Sequence, residues 1–158
     1  MVVLRIGFAL VLLLGSAAAG AYEERAPSPG AWAERVYRWQ YNPQNRPAWL
    51  GASEARERVQ LAAAKWEACG LRMEFVGETQ APAGRVDGVN VVGWNAPLTG
   101  QTRAITLGRA DRPKRQLLER DVVFNPSKDE FRQSPELLQK VMTHEFGHAI
   151  GLTHSSRC

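Results

Sequence analysis

The sequence predicts an α+β domain with one β-sheet and two long helices, and three observations support this prediction. The chain has 158 residues, a length that suits one domain with a short appendage. Its residues are 44% hydrophobic and 23% charged, which is the balance of a folded globular protein. A strand-like segment comes first, followed by a long helical segment, several strand-like segments and a last helical segment.

The first 21 residues have the layout of a secretory signal peptide. Arg5 provides a positive charge, residues 6–14 are apolar and residues 17–21 are small, so we expect cleavage after Ala21 rather than after Ala19. The alternative is a membrane anchor, but the apolar stretch of 16 residues is shorter than the roughly 20 that a spanning helix needs. We therefore expect a secreted or periplasmic protein that is not held in a membrane after cleavage.

The first strand is expected shortly after the mature N-terminus. Residues 22–33 contain prolines and a glycine and have no hydrophobic period, so we expect a flexible lead-in there and a domain that begins at residue 34. From residue 34 to residue 41 aromatic and polar residues alternate, which is typical of a strand. The aromatic residues that share one face are Tyr37, Trp39 and Tyr41.

A long helix is expected next. Ser53 is a suitable N-cap, because its hydroxyl can accept a hydrogen bond from an unpaired N–H of the first turn. Gly70 follows Cys69 and is expected to end the helix, since glycine tolerates a left-handed conformation. Apolar residues recur between them at helical spacing and predict a buried stripe: Ala55, Val59, Ala62 and Trp66.

Four short strands and a second helix are expected in the rest of the chain. Residues 109–119 and 126–133 are polar and are interpreted as loops. Ser134, Pro135 and Glu136 together indicate a helix start, with an N-cap, a proline at the first position and an acid in the first turn. The predicted strands are 71–78, 88–94, 102–108 and 120–125.

The charge distribution argues against a nucleic-acid partner. Twenty basic and sixteen acidic side chains give a net charge of only +4. The basic residues are scattered along the chain, whereas a nucleic-acid-binding protein gathers them on one face or helix. A basic nucleic-acid binder therefore remains an interpretation that rests on charge alone.

The residues best suited to metal binding or catalysis lie in the second helix and just after it. They form the pattern His144-Glu145-x-x-His148-x-x-Gly151-x-x-His154. Residues four apart on a helix lie on one face about 6 Å apart, so two imidazoles can reach one zinc ion. Gly151 allows the chain to turn back sharply, and His154 then supplies a third ligand. Three histidines with a fourth position open are typical of a catalytic zinc site, and we expect one zinc per chain.

A coincidental arrangement of histidines is the alternative interpretation, because a pair four residues apart on a helix is often only polar surface. Here five positions of an eleven-residue pattern are filled, and every histidine of the chain falls within it. No histidine is left elsewhere to serve as the base for a serine or cysteine nucleophile. The pattern therefore favours metal binding.

The zinc pattern resembles that of the metzincin metallopeptidases, and other segments resemble their matrixin-like branch, which is common among secreted bacterial proteins. The resemblance covers residues 34–158. It implies that His144, His148 and His154 bind zinc and that Glu145 is the general base that takes a proton from the attacking water. It also implies a metzincin-like catalytic domain with a twisted mixed sheet.

The same resemblance implies where the substrate binds. The edge strand of the sheet, near residues 102–108, would border the cleft and pair with an extended peptide or protein substrate by strand addition. The reaction expected there is hydrolysis of a peptide bond without a covalent intermediate.

The sequence departs from the family after the third ligand. The family pattern continues to a methionine-containing turn beneath the zinc, whereas the printed chain reaches Cys158 four residues after His154. None of Met1, Met73 and Met142 is placed to supply that turn. Calcium sites cannot be assigned, because the loop aspartates are dispersed and are interpreted as solvated: Asp87, Asp111, Asp121 and Asp129.

Two functions remain open at this stage. The leading hypothesis is a secreted zinc endopeptidase, and the alternative is a non-catalytic zinc-binding module derived from a truncated metzincin. Glu145 favours the enzyme, while the early C-terminus favours the module. A disulfide between Cys69 and Cys158 is expected in an oxidising compartment, the alternative being a free Cys158 thiolate near the zinc.

Overall fold

The α+β class predicted from the sequence is confirmed by a computed structural model, which describes residues 30–95, 98 and 100–154. These residues form six strands and three helices. The strands are β1 (Ala31–Trp32), β2 (Val36–Asn42), β3 (Arg72–Glu78), β4 (Val91–Trp94), β5 (Ala104–Asp111) and β6 (Gln116–Phe124). The helices are α1 (Ala52–Ala64), α2 (Asp129–Gln133) and α3 (Pro135–Ala149), and two 3-10 turns cover Ala33–Arg35 and Glu67–Cys69.

The sheet is mixed and mostly parallel. Its strands follow the order β1-β6-β4-β2-β3, and every neighbouring pair in that order is parallel. Strand β5 pairs antiparallel with β6 and with no other described strand, so it forms an edge of the sheet. Parallel neighbours need a crossover connection, and α1 provides the one between β2 and β3.

The hydrophobic core lies between one face of the sheet and helices α1 and α3. The predicted aromatic face of β2 is confirmed, because Tyr37, Trp39 and Tyr41 are all at most 1% exposed. Trp39 packs edge-on against Phe146 of α3, with ring centroids 5.3 Å apart. Most of the stripe predicted on α1 is also buried. The residues of both helices in the core are Ala55, Val59, Ala62, Ala63, Leu138, Met142, Phe146 and Ala149.

The helix boundaries differ in part from the predictions. Ser134 is the N-cap of α3 as predicted, and its hydroxyl accepts a hydrogen bond of 3.2 Å from the N–H of Leu137. The predicted cap of α1 was wrong, because Gly51 occupies that position and Ser53 lies within the helix. Gly70 is left-handed as expected (φ 73°), but it ends the 3-10 turn that follows α1 rather than α1 itself.

Two segments interpreted as loops contain regular structure, and so does part of the lead-in. Residues 109–119 belong mostly to a hairpin, since β5 runs to Asp111 and β6 begins at Gln116. Pairing across the hairpin satisfies the backbone there, so polar side chains do not prevent strand formation. Residues 126–133 include α2, and Ala31–Trp32 at the end of the expected lead-in pair with β6.

Several predictions concern residues outside the described part of the chain. The signal peptide over residues 1–21 and Cys158 both lie there. Cys69 is exposed and forms no disulfide with another described residue, so its pairing with Cys158 stays a prediction. None of the helices in the described ranges is long and apolar enough to cross a membrane.

Candidate metal centre

Helix α3 presents the first part of the predicted metal site, and its packing holds it in place. Trp66, which follows α1, donates a hydrogen bond of 2.8 Å from its indole N–H to the backbone oxygen of Thr143. Its ring also lies directly over Gly147, where an added Cβ would come within 2.8 Å of an indole carbon. Glycine between the two histidines of α3 therefore allows a tryptophan to pack against the helix at the metal site.

The chain then turns back at Gly151, as the sequence predicted. Gly151 has φ +102°, and a Cβ there would lie 2.6 Å from the backbone oxygen of Gly30. The indole N–H of Trp32 donates to the backbone oxygen of Ala149 at 2.9 Å, which ties the end of α3 to β1. These contacts direct the chain so that His154 returns to the histidines of α3.

The imidazoles of His144, His148 and His154 meet at their Nε2 atoms, each of which lies 3.0 Å from the other two. The three contacts cannot all be hydrogen bonds, because an Nε2 atom that carries a proton has no lone pair left to accept one. A cation shared by the three rings would account for the triangle. The centre of the triangle is about 1.7 Å from each nitrogen, which is shorter than the ~2.0–2.1 Å of a metal–imidazole bond, so one ion can be at bonding distance from all three nitrogens.

The surroundings of the triad prepare it for a metal. Nδ1 of His148 lies 2.8 Å from the backbone oxygen of Leu152, and since a carbonyl only accepts, Nδ1 carries the proton. The Nε2 lone pair of His148 therefore faces the other two rings. Burial lowers the pKa of His144 below its ordinary value, and the neighbouring His148 lowers it further. Both effects favour the neutral imidazole of His144, the form that binds metal.

Glu145 lies beside the triad but is directed towards the sheet. It is only 6% exposed, and its Oε2 accepts a hydrogen bond of 2.7 Å from the hydroxyl of Thr106 on β5. Among the described residues no donor is hydrogen-bonded to Oε1. The sequence analysis did not identify Thr106, because a threonine on an edge strand carries no signal of its own.

A cleft of about 590 Å³ runs between β5 and the metal site. One wall is residues 104–108 of the edge strand, and the other contains Glu145, His148 and His154. Arg120 of β6 also lines this cleft, and the sequence analysis did not identify it either. A second cavity of about 330 Å³ adjoins Glu145 and is lined by Arg103, Ala104, Lys140, Val141, His144 and Glu145.

One aspartate that the sequence assigned to solvated loops is buried instead. Asp121 lies on β6, is 1% exposed and accepts hydrogen bonds from the N–H groups of Gly84 (2.6 Å) and Val91 (2.8 Å). Burial raises its pKa to about 6, although these two bonds oppose the rise. Asp121 thus anchors the loop between β3 and β4 to the sheet.

Comparisons with known protein families and with curated proteins found no match to this chain. The geometry of the site must therefore carry the functional argument. It brings the three predicted histidines into a group that can hold a metal ion, with the predicted glutamate beside them.

Proposed function

We propose that this protein is a secreted or periplasmic zinc-dependent endopeptidase with a matrixin-like metzincin domain. The observation that carries the proposal is the convergence of three Nε2 atoms, 3.0 Å apart, on a cleft bordered by an edge strand. A histidine set of this kind suits zinc among the common metals. The signal-like N-terminus supports the location.

The substrate proposed is an extended peptide. Among the described strands β5 pairs on one side only, so its other side can form backbone hydrogen bonds with a peptide strand laid along the cleft. Such a peptide would pass between β5 and the histidines. Its backbone would be held by β5 while a peptide bond lies beside Glu145.

The chemistry requires a base next to the metal, and Glu145 suits this role. A zinc ion held by the triad supplies Lewis-acid chemistry, which polarises a peptide carbonyl and makes water more acidic. Thr106 fixes Oε2 of Glu145, which leaves Oε1 to take the proton of the attacking water. Glu145 then returns this proton to the amine that leaves, so no covalent intermediate is needed.

The proposal is tested by comparing Glu145→Gln with the unmodified protein. We expect both to bind one zinc per chain and the variant to hydrolyse casein 10²–10⁴-fold more slowly, the usual contribution of a general base. A matched control is Glu57→Gln, which changes an exposed glutamate on α1. Zinc is measured by elemental analysis, and hydrolysis is measured with and without a chelator.

Two outcomes would contradict the proposal. If Glu145→Gln hydrolysed casein at the unmodified rate, Glu145 would not be the base. If the zinc-loaded protein bound metal but cleaved neither casein nor a set of unstructured peptides, the protein would be a zinc-binding module rather than a peptidase.

A further inference from the structure

The cleft contains a cation that the proposed mechanism does not use. Arg120 lies on β6 directly opposite Gly108 of β5, and partners in an antiparallel pair direct their side chains to the same face. That face is the one that carries the metal site, because Arg120 lines the cleft together with His148 and His154.

Gly108 keeps the space opposite Arg120 open. It has φ +153°, and an added Cβ would collide with the backbone oxygen of Glu119, so no larger residue fits without a shift of the hairpin. The β5 residue opposite Arg120 therefore has no side chain, and Arg120 lines the cleft without one across from it.

Arg120 also lacks a carboxylate partner among the described residues. Among the described residues its guanidinium donates one hydrogen bond, of 3.4 Å, to the backbone oxygen of Glu119. The adjacent acids have other partners: Glu119 accepts from the N–H of Asp87 (2.7 Å) and pairs with Arg109 (3.3 Å). Asp121 is likewise held by two N–H groups, as described above. Burial of Arg120 lowers its pKa, so this cation is partly desolvated and has no ion pair with a described carboxylate.

The remaining charges around the two cavities have the same sign. Arg103 and Lys140 line the second cavity, and Glu145 is the one acid among the residues that line either cavity. Arg103 is paired with Glu130, whereas Lys140 forms no ion pair within the described residues. Arg120 and Lys140 are therefore the basic residues lining the two cavities that no described carboxylate neutralises.

We infer that Arg120 is a specificity-determining residue that binds a carboxylate of the peptide substrate. The inference rests on the proposed function and names its substrate class, which is acidic peptides. A guanidinium presents a planar set of N–H donors that matches the two oxygens of a carboxylate. Because a peptide paired with β5 fills the cleft, the anion belongs to that peptide, as an acidic side chain or as its terminal carboxylate.

The unmodified protein provides the first test. A set of quenched fluorescent peptides is made in matched pairs that carry Glu or Gln at one position near the cleaved bond. We expect kcat/KM to favour Glu about 10-fold at one position, the size of one charge-assisted hydrogen bond, and the preference to shrink at high salt. Each peptide is also made with a free and with an amidated C-terminus, because binding of the terminal carboxylate would favour the free form whether the varied residue is Glu or Gln.

Variants then assign the preference to Arg120. Arg120→Gln is expected to bring the Glu:Gln ratio close to one, and Arg120→Glu to reverse it in favour of Gln. Arg112→Gln, in the exposed turn of the same hairpin, is the matched control and should keep the 10-fold preference. The first test uses the unmodified protein. The preference for acidic peptides can therefore be measured even if a variant of Arg120 fails to fold.

Binding separates this inference from the proposed function. Labelled Glu and Gln peptides are titrated into Glu145→Gln, with and without Arg120→Gln, and followed by fluorescence anisotropy. Tighter binding of the Glu peptide that depends on Arg120 supports the inference even if nothing is cleaved. Cleavage with equal rates and equal affinities for Glu and Gln peptides, and for free and amidated C-termini, would overturn the inference and leave the peptidase standing.

Discussion

The hydroxyl of Thr106 lies 2.7 Å from Oε2 of Glu145, so the edge strand of the sheet holds the carboxylate of the metal-site helix. The two residues are 39 positions apart in the chain. The same hydroxyl is 3.0 Å from the backbone oxygen of Glu145, which places Thr106 tightly against α3. A nearly buried carboxylate is costly without a donor, and Thr106 supplies one.

Replacement of Thr106 should affect turnover more than substrate binding. Thr106→Val keeps the shape of the side chain but removes the donor, so Oε2 of Glu145 loses its partner and the carboxylate is no longer fixed. We expect kcat to fall between about 10-fold and 100-fold with little change in KM, because a small displacement of the Glu145 carboxylate slows proton transfer strongly. Steady-state kinetics on a peptide substrate measure both constants.

Thr106→Ser is the matched control for this positioning role. It keeps the hydroxyl and should restore most of the rate, and all three proteins should bind one zinc. Equal rates for the Val and Ser variants would show that the hydrogen bond to Glu145 does not matter.

The turn at Gly151 should be essential for the third histidine. Gly151→Ala adds a Cβ 2.6 Å from the oxygen of Gly30 at a positive φ, so the backbone must shift and His154 must move with it. We expect the free energy of unfolding to fall by about 2 kcal/mol and zinc to bind more weakly. Urea denaturation and a competitive zinc titration provide the two measurements.

Gly88→Ala separates backbone strain from the collision. Gly88 also has a positive φ (+93°), but nothing lies within 4 Å of its added Cβ. This variant should lose about 1 kcal/mol and keep the original zinc affinity. If Gly151→Ala bound zinc as tightly as Gly88→Ala, the turn would not be what positions His154.

The contact between Trp66 and Gly147 predicts that the effect of Gly147→Ala on stability depends on whether residue 66 is tryptophan. In the unmodified protein Gly147→Ala should destabilise the fold, because its Cβ would lie 2.8 Å from the indole ring. In a Trp66→Leu background that collision is gone, and alanine should stabilise α3 by up to about 1 kcal/mol relative to glycine. Urea denaturation of the four proteins gives this double-mutant cycle. The same effect in both backgrounds would contradict the packing described here.

Asp121 should make stability depend on pH. Burial raises its pKa to about 6 in the folded protein, above the 3.8 of an unperturbed aspartate, so the folded state binds the proton more tightly than the unfolded state. Its favourable contribution is complete below about pH 4 and is lost as the pH rises through about 6.

The measurement compares the unmodified protein with Asp121→Asn, which does not titrate at this position. The stability of the unmodified protein relative to the variant should decrease between pH 4 and pH 7, as followed by urea denaturation. Other titrating groups cancel in this difference. A difference that rises over this range would show that the hydrogen bonds from Gly84 and Val91, rather than burial, dominate the pKa.

Local patterns predicted the parts of the fold that local physics controls. Alternation identified β2, because Tyr37, Trp39 and Tyr41 must share one face of a strand. The cap at Ser134 was predicted from the side chain that satisfies the first turn of α3. The hairpin over β5 and β6 was only partly predicted, since its arginine-rich ends become strands only through pairing with each other.

The sequence by itself determined which residues form the candidate metal site. Helical periodicity places His144 and His148 on one face, and Gly151 permits the return of His154, so eleven consecutive residues contain all three ligands. Such short-range relations depend on backbone geometry alone and can therefore be predicted from the sequence.

Only the tertiary structure decided what surrounds those ligands. Thr106 reaches Glu145, Trp66 packs over Gly147 and Arg120 faces the cleft because the edge hairpin and the end of α1 are brought against α3. Nothing local distinguishes these three residues from others of their type. The hydroxyl of Thr106 contacts Glu145, 39 positions away in the chain, and the indole N–H of Trp66 contacts Thr143, 77 positions away. Packing of the core fixes these contacts, whereas sequence spacing does not.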